Sequence, residues 1–376
     1  MAKEKASKDF FTELENKFNA YFEPDEIKTG IIPLDLVLNG GLQTGSLIEI
    51  AGESQCGKST LVLHLAKNLA ERGYKTFYID SEGSVKDDMV RGIGLEPYLA
   101  SKKKKDNKFM LIRESRYSQV EQLINMALET GDYKLFVIDS LTALGNDEYI
   151  NIDSEKNAID TRIGMDAQLN SRLLKKLNAL KTDYNCIFII INQTRVDLSM
   201  TFKPTKTSTG GQAVKFYPDI RLFMKVDGKI EEKKELLIGE KAVRVGATGT
   251  IEARKSRLGA GFIPYPFTIY FGKGVSSLAA YEALLPGITV NGKPALEQIT
   301  KMTYELHLPS GDYKSTNGVD AMKKMIVDHG SEVEEMVNDY LDDYYDKIRN
   351  DKLLSKGETI VAVQASTDSI DDYLDE

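Results

Sequence analysis

The chain has 376 residues, a formal net charge of −8 at pH 7, 41% hydrophobic residues and 28% charged residues. This length can carry a full α/β core with one smaller domain beside it, and the balance is that of a globular chain rather than a disordered or collagen-like one. No apolar run reaches the span of a bilayer, the N-terminus is charged rather than signal-like, and the two cysteines, Cys56 and Cys186, read as unpaired thiols of a reducing compartment. A cytoplasmic protein without membrane partners is expected. The three histidines, His64, His307 and His329, show no metal-ligand spacing. The acidic balance does not exclude nucleic acid, because residues 359–376 hold Asp368, Asp371, Asp372, Asp375 and Glu376 and no basic residue. What precedes them is near neutral, so a local cationic surface stays available.

Residues 1–28 are polar but place Phe10, Phe11, Leu14, Phe18 and Phe22 at helical spacing. The stripe predicts a short N-terminal helix whose apolar face is covered by the chain's own core or by a neighbouring subunit. From Thr29 to Gly274, helical and extended signals alternate. Leu47–Ala51 reads as a short buried strand, and Leu61, Leu65 and Leu69 put one stripe on the helix that follows. Thr76–Asp80, Phe109–Ile112, Leu135–Asp139 and Ile187–Ile191 are continuous apolar runs of the kind buried on both faces of a parallel sheet. Met165, Leu169, Leu173, Leu177 and Leu180 mark a further amphipathic helix. The alternation predicts a doubly wound sheet with right-handed crossovers, extended by antiparallel strands at Ile220–Val226 and Val243–Arg254. Residues 276–358 form a smaller α/β or mostly helical domain ending in a charged helix at Ser331–Arg349, and 359–376 an acidic tail. Lys102–Lys105 reads as a solvated basic loop.

Between the first strand and its helix lies Gly52-Glu53-Ser54-Gln55-Cys56-Gly57-Lys58-Ser59, which fits the phosphate-loop pattern G-x-x-x-x-G-K-[ST]. Glycines let the backbone aim several N–H groups at one anion, Lys58 brings a point charge to the outer phosphates, and Ser59 offers a hydroxyl to Mg²⁺. Gly52 to Thr60 are therefore the expected nucleotide-binding residues. Hydrolysis also needs a metal-positioning acid and a group that activates water. Asp139 closes one apolar run, as a second metal-site residue beside Ser59, and Glu82 lies just beyond another, as a candidate general base. Gln193 ends a third strand, where an amide distinguishes triphosphate from diphosphate by hydrogen bonding. It leads into Thr194–Thr209, a polar loop closed by Gly210-Gly211. That loop carries Arg195, Lys203 and Lys206 for phosphates, and Leu198, Met200 and Phe202 for wedging or stacking against bases. Asn146–Ile163 is a second long polar segment, before a helix beginning at Gly164.

These motifs, in this order, resemble the RecA family of homologous-recombination ATPases. The likeness runs from Thr29-Gly30 through Gly40-Gly41-Leu42 and Gly45, Tyr78–Glu82 and Val137–Leu144. Its most specific part is Ile191–Arg195 with Thr209–Tyr217, and it covers residues 29–275. The resemblance implies a RecA-type ATPase core with a short N-terminal oligomerisation helix and a small C-terminal domain. It also implies ATP and Mg²⁺, a homo-oligomeric helical filament on single-stranded DNA, strand exchange with double-stranded DNA, and single-strand-binding and loader proteins as further partners. By the same likeness Glu82 is the catalytic base and Gln193 the γ-phosphate relay, with 146–163 and 194–209 as DNA loops. Lys255 and Arg257 then reach a neighbour's ATP, and Phe216 lies at the subunit interface. The sequence departs from the family in four places: Met89 stands where an aromatic often stacks on adenine, Arg257 replaces a lysine, the first DNA loop is a few residues longer, and the C-terminal region matches weakly. Such departures fit a divergent member. A ring-forming helicase motor is the alternative, with a nucleotide-holding accessory protein or a metabolic kinase behind it. The tail either keeps the chain soluble or competes with DNA phosphates for basic surface.

Overall fold

The computed structural model describes residues 24–101, 107–145, 159–197, 205–208, 213–236, 239–257 and 263–349. The N-terminal stripe, Lys102–Lys105, the segment 146–158 and the acidic tail lie outside them.

A small ribbon of β1 (Glu26–Ile27) and β2 (Leu42–Gln43) brackets the helix Ile32–Leu38. The central sheet follows. Its parallel strands are β3 (Leu47–Gly52), β4 (Lys75–Asp80), β5 (Phe109–Ile112), β6 (Tyr133–Asp139) and β7 (Ile187–Asp197), ordered β3-β7-β6-β4-β5. Every residue of β3 is buried, as are Leu135–Asp139 of β6, because helices cover both faces. Successive side chains along a strand go to opposite sides. Ile48, Ile50, Tyr78, Val137 and Ile189 therefore join one core with Leu61, Leu65 and Leu69 of the helix Lys58–Glu71. Phe77, Ile79, Phe136, Ile138, Phe188 and Ile190 enter the other, with Val120 and Ile124 of the helix Tyr117–Glu129 and Leu173 and Leu177 of the helix Ile159–Asp183. Each such fully buried aliphatic or aromatic side chain contributes about 1.5–3 kcal/mol relative to exposure. The helix Lys58–Glu71 stops at Gly73, whose φ of +93° lets Tyr74 N–H reach back to Leu69 O at 3.0 Å.

β8 (Thr205–Ser208) pairs antiparallel with the end of β7. Beyond β3 the sheet continues through β9 (Ile220–Leu236), parallel to β3, then β10 (Gly239–Ser256), β11 (Tyr265–Tyr270) and β12 (Gly274–Ser276), each antiparallel to the strand before it. β9 and β10 are both longer than their apolar runs, because their outer parts pair with each other as a charged, largely exposed ribbon.

The centre of the sheet holds a buried polar network. Glu49 of β3 is fully buried and lies directly opposite Arg221 in the β3–β9 register. It accepts from Arg221 Nε at 2.5 Å and from Asn192 Nδ2 of β7 at 2.9 Å.

A third core is built from the short strands β13 (Thr289–Val290), β14 (Lys293–Pro294), β15 (Leu296–Gln298), β16 (Thr303–His307) and β17 (Tyr313–Asn317), with the helices Leu278–Leu284, Val319–Asp328 and Gly330–Arg349. Leu285, Leu306, Ile326, Val333 and Val337 fill it. The last helix is tied to the first described one by Tyr345 Oη, which donates to Asp35 O at 3.2 Å.

Two sequence expectations change in form. The segment after Gln193 is not irregular throughout: Thr194–Asp197 and Thr205–Ser208 form a β-ribbon, because β7 continues straight past the sheet's end. The long helix starts at Ile159 rather than Gly164, taking in the end of the expected polar segment.

Candidate active site

The carboxyl ends of β3, β7, β6 and β4 open on one cleft of about 400 Å³, lined by Ser54, Gln55, Gly57, Lys58, Ser59, Thr60, Glu82, Met89, Asp139 and Gln193 among others. Strand order explains the convergence. β3 sits beside β7, β7 beside β6 and β6 beside β4, with Gly52 opposite Gln193 and Asp80 opposite Asp139. Residues separated by more than a hundred positions thus end level with one another.

The loop Glu53–Gly57 turns tightly, with Gln55 at φ +61° and Gly57 at φ +98°. A Cβ at Gly57 would also stand 2.5 Å from Ile269 Cδ1, so the position demands glycine twice over. Gly57 caps the helix Lys58–Glu71 without any side-chain bond to its first turn. The backbone donors of that turn, together with the helix dipole, suit a phosphate. Lys58 is 7% exposed, and its Nζ donates to Gly52 O at 3.1 Å and Glu53 O at 2.7 Å, which holds the ammonium inside the loop. Cys56 lies buried beneath it, where burial raises the thiol pKa despite the nearby lysine.

Asp139 is 2% exposed and accepts from Tyr78 Oη at 2.6 Å, and the Ser59 hydroxyl beside it favours its charged form. Burial raises its pKa, partly offset by those two hydroxyls. Glu82 follows Ser81, whose N–H donates to Asp139 O at 2.7 Å and whose hydroxyl donates to Ser140 O at 2.7 Å. Glu82 Oε1 accepts from Ser140 Oγ and from Gln193 Nε2, the latter at 3.0 Å. The carboxylate is therefore oriented from two neighbouring strands.

Of the other expected residues, Gly52 ends β3 and Glu53 opens the loop. Lys255, Arg257 and Phe216 are brought together, but away from this cleft. Lys255 Nζ donates to Lys215 O at 3.1 Å and Phe216 O at 2.7 Å, while Arg257 reaches Phe216 O at 3.2 Å and Asp219 at 3.5 Å. Burial, then Arg257 beside it, lowers the pKa of Lys255. Phe216 is 65% exposed at the mouth of a groove of about 810 Å³ along the helix Ile159–Asp183. Arg195 and Lys206 lie in the β7–β8 ribbon; Leu198, Met200, Phe202, Lys203, Gly210 and Gly211 fall outside the described residues.

Sequence reasoning missed several contributors. Tyr78 and Ser140 act on Asp139 and Glu82 through hydroxyls whose partners only the sheet register reveals. Asp80 accepts from Ser84 N–H and Val85 N–H, both at 3.0 Å, and so shapes the turn after Glu82. Phe271 and Gly272, like Met89, line the cleft. Arg244 stacks on the Phe271 ring, its guanidinium 5.3 Å from the ring centre. Gly92 brings the walls together, since a Cβ there would lie 2.0 Å from Gly272 O.

Fold and cleft together define an α/β protein of the phosphate-loop class. The family model described as the RecA N-terminal domain matches residues 7–276. The chain is 29% identical over 251 residues to Protein RecA of Geobacter sulfurreducens, covering 66% of this chain and 68% of that one. It is 31% identical over 256 residues to Protein RecA of Fusobacterium nucleatum, covering 68% and 62%. With Protein RecA of Bartonella bacilliformis it shares 31% identity over 257 residues, covering 68% of each. The chain belongs to the RecA family of homologous-recombination ATPases.

Proposed function

We propose that this protein is an ATP-dependent DNA recombinase that assembles as a helical filament on single-stranded DNA and performs homologous pairing and strand exchange. One observation carries the reading: the phosphate loop, Asp139, Glu82 and Gln193 share a cleft, and Gln193 leads directly into the ribbon expected to meet DNA. The uncapped first helical turn, Lys58 and the Ser59–Asp139 pair fit a nucleotide triphosphate with Mg²⁺. When bound, ATP·Mg²⁺ supplies the transferable phosphoryl group and a cation that neutralises its charge.

In this reading Lys58 and the loop hold the phosphates, and Ser59 with Asp139 holds the metal. Glu82 takes the proton from the attacking water. Its Oε1 carries both hydrogen bonds from Ser140 and Gln193, which leaves Oε2 for that transfer. The Gln193 amide bonds Glu82 and begins the ribbon, so exchanging that bond for one to nucleotide couples the cleft to the DNA-facing segment. Lys255, Arg257 and Phe216 form one cluster, with Arg257 and Phe216 exposed and Lys255 half-buried, suited to a neighbouring subunit whose ATP the two cations would approach. The same reading divides the chain into an N-terminal oligomerisation segment (1–28), the ATPase core (29–275), a small domain (276–358) and an acidic tail (359–376), in a cytoplasmic protein. Among the described residues no helix is long and apolar enough to cross a membrane.

The test is ATP hydrolysis with and without single-stranded DNA, beside electron microscopy of the ATP-bound complex. Hydrolysis should rise sharply with DNA, vanish in Lys58→Ala, and accompany filaments. A rate indifferent to DNA would sink the recombinase reading, and closed rings would favour a helicase-type motor.

A further inference from the structure

Far from the cleft, β15 and β16 place two glutamates face to face. Glu297 is the direct cross-strand partner of Glu305. Like charges in that position repel and destabilise a strand pair unless something lies between them. His307 is two residues beyond Glu305 on β16, hence on the same face of the sheet. Its main chain is fixed from both sides, with His307 N–H donating to Ala295 O at 2.8 Å and the residue paired with Tyr313 across β17.

The imidazole is what turns this acidic pair into a site. His307 is 8% exposed, and its Nε2 is buried without a hydrogen-bond partner. Buried polar atoms without partners are few in native proteins and each asks for a reason. Nε2 lies 3.6 Å from Glu297 Oε2 and 3.7 Å from Glu305 Oε2. Those separations exceed the 2.7–3.2 Å of N–H···O hydrogen bonds. They come close to the edge of a coordination tetrahedron: donors about 2.0–2.2 Å from a shared ion stand roughly 3.3–3.6 Å apart. The three donor atoms all fall within 4.8 Å of one another.

We infer that Glu297, Glu305 and His307 form a divalent transition-metal site, with Zn²⁺ the best-fitting ion. One imidazole with two carboxylates is a borderline donor set, harder than a thiolate site and softer than the all-oxygen shells of Mg²⁺ and Ca²⁺. Three protein ligands leave a fourth position for water, and the Glu297 side chain, 39% exposed, provides the open side. The bound cation replaces the repulsion across β15 and β16 with a bridge, and gives Nε2 its partner. The site needs neither nucleotide nor DNA and stands apart from the Ser59–Asp139 pair.

The experiment uses full-length, chelator-stripped, nucleotide-free protein titrated with ZnCl₂ and, separately, CoCl₂, whose visible absorption reports the ligand field. One equivalent should bind to the wild type and to Asp139→Asn alike. His307→Gln should weaken binding by at least about 100-fold, and Glu297→Gln, at a half-exposed position that the fold tolerates, should weaken it by about 10-fold or more. Circular dichroism confirms folding of each variant. Absent binding, binding that survives Glu297→Gln and His307→Gln unchanged, or binding lost in Asp139→Asn instead would each overturn the assignment.

Discussion

Gly92→Ala probes the wall of the cleft with a single methyl group. The added Cβ would stand 2.0 Å from Gly272 O, where ordinary contact begins near 3.4 Å, so the helix Asp87–Ile93 and the Phe271–Gly272 turn must part by about 1.4 Å. Backbone lies on the receiving side, so no side chain can rotate away. Overpacking of this kind costs about 1–3 kcal/mol. The better helix propensity of alanine returns about 0.5–1 kcal/mol. A net loss of about 0–2.5 kcal/mol in urea denaturation follows, against a gain for an unobstructed glycine. The parting also displaces Met89 and Phe271, two apolar residues that line the cleft and would meet a bound base. Losing one aromatic contact is worth about 0.5–1.5 kcal/mol, so the Kd for ATP should rise about 2- to 10-fold while kcat at saturating ATP stays unchanged. Equilibrium binding of a fluorescent ATP analogue reads the first effect and steady-state hydrolysis the second. Gly330→Ala is the matched control, because nothing lies within 4 Å of its added Cβ. If Gly92→Ala matches this control in both urea midpoint and ATP affinity, the close-approach argument is wrong.

Glu82→Gln should lower kcat for ATP about 100- to 10,000-fold with ATP binding retained, as removal of a general base does; equal loss of binding would mean a structural role instead. Tyr78→Phe removes the donor to a buried carboxylate and should cost about 1–3 kcal/mol by urea denaturation; an unchanged midpoint would contradict the Tyr78–Asp139 contact. Burial raises the Asp35 carboxyl pKa from 3.8 to about 6, against the opposing pull of its bonds from Thr29. A raised carboxyl pKa means that the folded state holds the proton more tightly, so this contribution is complete below 3.8 and is lost as pH rises through about 6. Relative to the wild type, Asp35→Asn should therefore gain about 3 kcal/mol between pH about 4 and 7, at 1.36 kcal/mol for each unit of displaced pKa. Parallel pH–stability curves for the two proteins would refute it.

The strands of the parallel sheet were legible because burial on both faces leaves an unbroken apolar run, as in Ile187–Ile191, and little else in a sequence does so. The phosphate loop, Glu82, Asp139 and Gln193 were legible for a related reason: each sits at or just beyond the end of such a run, and parallel strands bring their carboxyl ends together. Residues that act through register were not. Ser140 looked like any serine after a strand until the β4–β6 pairing set it against Glu82. Phe271 belongs to an antiparallel edge far along the chain, and Gly92 announces nothing until Gly272 arrives beside it. His307 has no metal-ligand spacing in the sequence, and its neighbour Glu297 comes from a different strand, which local spacing cannot show. The polar stretch after Gln193 hid a ribbon because threonine and lysine occur in strands as well as in loops.

The Glu49–Arg221–Asn192 network places a fixed charge pair one layer beneath the phosphate loop. Breaking such a pair singly strands a buried ion at a cost of about 3–5 kcal/mol, whereas exchanging the whole set for apolar side chains is often neutral. Glu49 is therefore bound to Arg221 more tightly than either is to the neutral Asn192: a substitution at one of the two ions is costly unless the other changes with it.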